Sequence, residues 1–537
     1  MRPLSEAAWC GKHEVVAALI EHGEDVRGFQ GGVALIQATL HRHLETARVL
    51  LCAGADPNCN QLPRKQGAPL YAAVLHPYLE MIQALLSFGA DMQLASVMVG
   101  GSLLHVPFFS GHYEGKEEVC LHVVEALLKH GVDVHQKSRE GASSLRLATL
   151  TGDARLVGLL LSHGARVDAA DSQETLLHIV CSQVLLGTFK MDACLRIVQV
   201  ALAHGTNVNA QDAQGVSPLM TAALCSTPEL VQHLLSGGAD ASIKDATGTT
   251  ALHLAVMDLH VLVGMGAVTL KQQWCGHGCI ETVEALVVHG ADVNAESDAG
   301  HTPLHIAVWT SIDRVSILLQ HGAKVNVQDS QGSVAPPLVQ AVYFSTSTDR
   351  AEILLKHGAD VFGWDDEACP HNNMLLSNTP VTTIIRIFCV HDSWPLHVGT
   401  AFHAAVEWGC PCHVPLLLEH GADLDIKERG DSLLSAMASY RGRVLDMVRR
   451  ADKASRKAAG SASKSDRLGC MSSEFASELK RLDAVLEELL FAGADLESHS
   501  REGQTALHHA TAAGSIARLH IVHNLNQHDA QVEVSRE

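Results

Sequence analysis

Residues 290–322 read GADVNAESDAGHTPLHIAVWTSIDRVSILLQHG, and this stretch decides the fold. Thr302-Pro303 is a helix start. The hydroxyl accepts a bond from an otherwise unpaired backbone N–H, and proline, having no N–H, suits the first helical position. Leu304, Ile306 and Ala307 give a short first helix with apolar faces. Asp313 opens a second helix whose Val315, Leu318 and Leu319 recur at helical spacing. Gly322 supplies the left-handed residue that ends it. The segment 291–300, rich in Asp, Asn, Ser and Gly, predicts a turn to the neighbouring unit. Two helices this short cannot bury their apolar faces on each other alone, so the unit needs a copy on each side.

The copies are found by using the closing glycine as a ruler. It recurs as Gly23, Gly54, Gly89, Gly131, Gly164, Gly205, Gly238, Gly290, Gly322, Gly358, Gly421 and Gly493. Gly131 to Gly164 and Gly205 to Gly238 are both 33 residues, and the longer intervals are this spacing plus an insertion or about two units. First helices begin at Pro3, Pro69, Ser102, Ser144, Leu176, Pro218, Ala251, Pro303, Pro337, Ala401 and Ala506. Several carry a Thr-x-Leu-His or related start.

TPLH-like helix starts, LLxxGADVN-like helix ends and a period near 33 together resemble the ankyrin repeat. The resemblance implies an all-α solenoid of stacked helix-turn-helix units with protruding β-hairpin-like fingers. It divides the chain into repeats 1–10 over 1–358, with insertions near 107–118, 183–191 and 258–279. Residues 359–397 are then an insertion or a degenerate repeat, and 398–448 hold repeat 11 and the start of 12. A basic, Ser/Ala-rich insertion occupies 449–474, the end of repeat 12 and a C-terminal capping repeat 475–526, and a polar tail 527–537. No polar cap precedes Pro3, so a partner shields the first helix pair or the sequence begins downstream of a true start.

The resemblance also assigns bland roles to recurring residues. The histidines His105, His178, His253, His305, His403 and His508 are expected to link adjacent turns. Those before the closing glycine, such as His289 and His321, sit where a helix C-terminus favours partial positive charge. The finger aspartates Asp171, Asp212, Asp245, Asp298 and Asp329 are expected to serve turn chemistry. Leu286 before Asn294, and Leu318 before Asn326, are similar to the pattern on which asparaginyl hydroxylases modify ankyrin asparagines.

Composition narrows the function classes. Apolar residues make up 47% and charged residues 18%, so most of the chain can fold, while the net charge of −20 opposes a broad nucleic-acid-binding surface. The 14 cysteines at irregular spacings, with no N-x-Ser/Thr sequon, favour a reducing compartment. The N-terminus lacks a signal-peptide core. The longest apolar run, about 251–270, is broken by His253, Asp258 and His260 and reads as core plus insertion rather than a membrane span. The expected location is the cytoplasm. The basic run from Arg449 through Lys457 to Arg467 allows the nucleus as a second location, although a solvated insertion is the favoured reading of it. Cys275, His277 and Cys279, like Cys410, Cys412 and His413, lack the spacing of a zinc site, so no metal and no cofactor are expected. No phosphate-binding loop, nucleophile elbow or metalloprotease motif is present.

What remains, by resemblance, is a non-enzymatic scaffold or adaptor, a monomer that binds a protein partner through its concave groove and finger tips. The expected contact residues are Gln211, Gln214, Lys244, Thr247, Glu296, Ser297, His301, Gln328, Gln331, Lys427 and Arg429, centred on repeats 7–10, about 206–358. The alternative is a regulatory or targeting subunit of an enzyme complex, including ubiquitin-ligase substrate recognition, that uses the inserted loops.

Overall fold

A computed structural model describes residues 3–59, 68–99, 101–109, 113, 115–166, 175–185, 188, 190–225, 227–257, 279–327, 335–344, 347–362, 400–407, 410–424, 427–428 and 431–432, and most positions between 480 and 494. The described residues form two compact units, one ending at Ile243 and one beginning at Lys244.

The first unit holds seven helical pairs. Its first helices include Pro3–Trp9, Phe29–Leu40, Pro69–Leu75, Ser144–Thr151, Leu176–Leu185 and Pro218–Leu224. Its second helices are His13–Glu21, Leu44–Cys52, Leu79–Ser87, Glu117–Lys129, Ala154–Ser162, Met191–Ala203 and Pro228–Ser236. First helices pack on first helices and second on second, so two parallel rows share one core. The second unit repeats this with Ala251–Ala255, Pro303–Thr310, Pro337–Phe344 and Ala401–Glu407 in one row. Its second-row helices are Cys279–Val288, Ile312–Gln320, Asp349–Lys356 and His413–Glu419. One buried apolar residue per first helix marks the seam of each unit: Leu4, Leu35, Leu70, Leu104, Leu145, Leu177 and Leu219 in the first, and Leu252, Leu304, Leu338 and Phe402 in the second.

The twelve ruler glycines all adopt positive φ, between 75° at Gly205 and 92° at Gly54. Eleven of them, from Gly23 to Gly421, close their helices with the same pair of bonds. At Gly322 the glycine N–H donates to Leu319 O (3.1 Å) and the following Ala323 N–H to Leu318 O (2.9 Å). A Cβ built on Gly322 meets no atom within 4 Å, so only the φ of 85° opposes a side chain there. Gly322→Ala is therefore expected to lower stability by about 1 kcal/mol, and Gly322→Asn by less, since asparagine tolerates the left-handed region. Urea midpoints of the two variants check the order.

Three departures have local causes. Repeat 2 has no Thr/Ser-Pro start, and its first helix runs over Phe29–Leu40 because residues 24–28 are too few to build a finger. In repeat 3–4, the segment expected to be a turn is instead the helix Met92–Val99. Its letters, MQLASVMV, hold none of the Asp, Asn or Gly that reverse the chain in a finger, and Asp91 Oδ1 accepts from Gln93 N–H (2.7 Å), which starts a helix there. In repeat 4 the first helix begins as a 3-10 turn, Leu103–His105, and continues as Val106–Phe109. The insertion that follows is tied back by Tyr113, whose buried hydroxyl donates to Val74 O (2.5 Å).

Further along, Pro337–Phe344 packs directly against Ala401–Glu407, and Cys410 Sγ donates to Val342 O (3.8 Å). The intervening residues 363–399 lie outside the described residues, as do the insertion at 258–278, the basic stretch 449–474 and the capping repeat. Lys427–Glu428 pairs antiparallel with Asp431–Ser432, a short hairpin of the finger kind.

Candidate protein-interaction face

Each well-described finger closes the same way. Asp212 N–H donates to Val216 O and Gly215 N–H to Asp212 O (both 3.0 Å), with Gly215 at φ 77°. This is a four-residue reversal followed by a left-handed glycine, a hairpin with a glycine bulge. Ser138–Ala142, Asp245–Thr249 and Ser297–His301 repeat it. The first side chain stabilises the loop from inside. Asp212 Oδ1 accepts from Gln214 and Val216 N–H (2.9 Å each), and Asp245 Oδ1 from Thr247 (2.8 Å) and Thr249 (2.9 Å). Asp212 and Asp245 thus serve the turn chemistry expected of them. Asp298 differs: its N–H donates to Thr247 O (2.9 Å) and joins two fingers. A Cβ on Gly248 would lie 2.5 Å from Asp298 Oδ1, so this approach requires glycine. Asp171 and Asp329 lie outside the described residues.

Two of the six histidines expected to link turns, His178 and His253, do so, whereas the buried Nε2 of His105 and of His305 meets no acceptor among the described residues. His253 Nδ1 accepts from Thr250 N–H (3.2 Å), which leaves the ring proton on Nε2, and Nε2 donates to His301 O (3.0 Å) in the next finger. His178 does the same, from Thr175 N–H (3.2 Å) to Val216 O (2.9 Å). Burial pushes the His253 imidazole down to about 4. It holds His305 well below the usual range too, assisted by the nearby His301 and His253 rings.

Of the contact residues expected from sequence, Gln211, Gln214, Lys244 and Glu296 are exposed. Lys244 Nζ donates to Glu296 O (2.8 Å), and Gln211 Nε2 to Gly215 O (2.8 Å). Thr247 and Ser297 are half-buried. The Thr247 hydroxyl is bound to Asp245 (2.7 Å), and Ser297 Oγ accepts from His301 N–H (3.2 Å). His301 is corrected: its side chain is only 2% exposed, because the ring turns inward between two first-helix residues. It packs edge-on against His305 (6.0 Å) and Trp309 (5.6 Å). Gln328, Gln331, Arg429 and the side chain of Lys427 lie outside the described residues.

Sequence reading missed a more promising group on the first helices. Trp309 is half-buried, and its Nε1–H donates to Gln340 Oε1 (2.7 Å) on the next first helix. Gln340 Nε2 in turn donates to Ala335 O (2.8 Å), so both ends of the amide are used and the indole is held in one orientation. Trp309 is the fifth residue beyond the buried Leu304; the equivalent residue of repeat 10 is the half-buried Tyr343 and that of repeat 8 is Met257. With Ile306 they give the inner row of this unit an aromatic and apolar centre beside polar fingers.

Also missed were four asparagine clamps. Asn58, Asn209, Asn294 and Asn326 each donate Nδ2–H to the closing glycine carbonyl of the next repeat (3.0–3.2 Å). Each also accepts from an N–H two residues further on (2.6–2.8 Å). The signal was available, since each asparagine stands four residues after a closing glycine. In Asn294 and Asn326 both ends of the amide are engaged by these links.

Among the described residues no three His, Cys, Asp or Glu side chains are grouped to hold a metal ion, and no helix is long and apolar enough to cross a membrane. Cys412 Sγ lies 3.5 Å from His413 Nδ1. The cluster at 275–279 is outside the described side chains.

Comparison with known proteins agrees with this geometry. Family models described as ankyrin repeats match residues 33–86, 189–263 and 269–329. Human Rabankyrin-5 is 26% identical over 34% of this chain and 20% of its own length. Human ankyrin repeat and SOCS box protein 16 is 28% identical over 34% of this chain and 37% of its own. The human transient receptor potential cation channel subfamily A member 1 is 24% identical over 44% of this chain and 18% of its own. The matched region spans well under half of each relative. With glycine-closed helix pairs stacked in rows and two hairpin fingers tied by histidine, the chain carries ankyrin repeats, matched over 33–86, 189–263 and 269–329.

Proposed function

We propose that the chain is a non-enzymatic scaffold that binds a protein partner on the inner row of repeats 8–10, with Trp309 at the centre of the contact. The observation that carries this reading is the fixed, half-exposed indole, edge-on to His301 of the 296–301 finger, with Tyr343 at the same position of the next repeat. Aromatic side chains on a rigid support are the residues that dominate protein interfaces, because they bury much area and lose little freedom on binding. A contact of ordinary size, about 800 Å² per partner, needs only a few adjacent repeats. The cytoplasm is the compartment this reading favours, given the free thiols among the described residues.

Trp309→Ala is expected to reduce recovery of the bound partner at least about tenfold, the loss typical of a central aromatic anchor. Proximity labelling with quantitative mass spectrometry, on wild type and variant matched for thermal midpoint, reads this directly. An unchanged set of labelled proteins overturns the assignment.

A further inference from the structure

The position occupied by Trp309 is apolar in repeats 1–5 of the first unit and forms a stripe there, which Ser182 ends in repeat 6. The fifth residue beyond the buried leucine is Trp9, Leu40, Leu75, Phe109 and Leu150 in five successive repeats. Trp9, Phe109 and Leu150 are 49%, 57% and 42% exposed, and Leu40 and Leu75 are half-buried. No repeat in this series places a polar residue at the position. Phe109 stands in line only because repeat 4 extends its first helix over Val106–Phe109, next to the insertion that Tyr113 anchors to Val74 O.

The turns that follow these helices in repeats 1–3 add a second observation. They carry Lys12, His41, Arg42, His43 and His76 and no carboxylate, in a chain whose net charge is −20. Arg42 is the one non-glycine residue with positive φ (63°) among the described residues, whereas the equivalent turns use Gly11 and Gly152. A left-handed arginine costs about 1 kcal/mol that glycine would avoid. Its guanidinium is held by Pro77 O (2.7 Å) and lies 5.4 Å over the Tyr78 ring, which fixes a cation at the edge of the stripe. Trp9 is braced likewise, edge-on to His41 at 5.4 Å, with its carbonyl bound by His43 Nε2 (3.0 Å).

We infer that this stripe is a docking face for an amphipathic α-helix of a protein partner, with an apolar residue at every seventh position and acidic residues along one flank. Packed helices lie about 8–10 Å apart, so the stripe offers one apolar side chain per step of that length. Seven residues of an α-helix rise about 10.5 Å, which matches the step. The acidic flank would lie over the basic turns of repeats 1–3.

The test uses the full chain and a fluorescent helical peptide of about 28 residues, long enough at about 1.5 Å per residue to cover the stripe from Trp9 to Leu150. The peptide has leucine at every seventh position and glutamate on one flank; a twin has lysine in place of glutamate. Anisotropy titration is expected to show binding of the glutamate peptide, weakened at least about tenfold by the double variant Phe109→Glu, Leu150→Glu. Arg42→Gly, which relieves the strained turn and so does not endanger folding, is expected to narrow the preference for glutamate over lysine. Trp309→Ala is expected to leave both titrations unchanged, which separates this face from the one proposed above. Equal binding of the twins to wild type, or indifference to both sets of variants, overturns the inference. So does a dimer in sedimentation velocity that the double variant dissolves, because a second copy of the chain then covers the stripe.

Discussion

Leu304→Ala is expected to lower the unfolding free energy of the second unit by about 2–5 kcal/mol, the range for removing a buried leucine from a core that cannot collapse around the gap. Leu304 is 1% exposed on a helix that packs against Ile312–Gln320 and against the first helices on either side. In a stack, each repeat is buried only by its neighbours, so damage to repeat 9 also withdraws support from repeats 8 and 10. The expected readout is a lower urea midpoint together with faster amide exchange in Ala251–Ala255 and Pro337–Phe344. Glu284→Ala, on an exposed position of the same unit, is the control and is expected to change stability by no more than about 0.5 kcal/mol. A Leu304→Ala loss no larger than the control's would show that the seam leucines do not carry the stack.

The features legible in the sequence were those set by one or two neighbouring residues. A left-handed helix terminus demands glycine, so all twelve ruler glycines could be found without knowing what packs where. Thr302-Pro303 and Thr250 announce their helices for the same reason, since the bonds at these starts are local: each threonine N–H and hydroxyl meets Nδ1 of the histidine three residues on. The finger loops at Asp212 and Asp245 were also readable, because an aspartate side chain closes its own turn. What could not be read depends on register between repeats. His301 looks like one more polar tip residue, and only the arrangement of Trp309 and His305 behind it turns the ring inward. Trp309 and Tyr343 looked like ordinary helical apolar residues until the next layer showed which of their faces stayed open. The helix Met92–Val99 stands where other repeats place a finger because MQLASVMV has no Asp, Asn or Gly to reverse the chain, a departure that the recurring Gly100 conceals from a search for repeated letters.

The second large effect is a loss of stability on acidification that passes through His253. The imidazole is fully buried, its Nδ1 accepts a backbone N–H, and its only proton is donated to His301 O. A second proton would have to sit on Nδ1, facing the Thr250 N–H, in a site removed from water. Burial is the main reason that the folded value falls from 6.5 to about 4; Lys244 lowers it further, while the His301 and Ala295 backbone contacts and Asp245 oppose the fall. The unfolded chain therefore binds the proton first. The stabilisation is complete above about pH 6.5 and is lost as the pH falls toward 4, by about 1.4 kcal/mol at pH 5.5 and about 2.5 kcal/mol at pH 4.5. His305, held down in the same direction, adds to the loss. Urea titrations of the full chain at pH 7.5, 5.5 and 4.5 measure it. His253→Gln lowers stability at every pH, but its decline between pH 7.5 and 4.5 is expected to be shallower than wild type by roughly the amount above. Carboxylates titrate alike in both proteins, so the difference in slope belongs to His253. Parallel declines would mean that the ring takes up its second proton while the repeat stays folded.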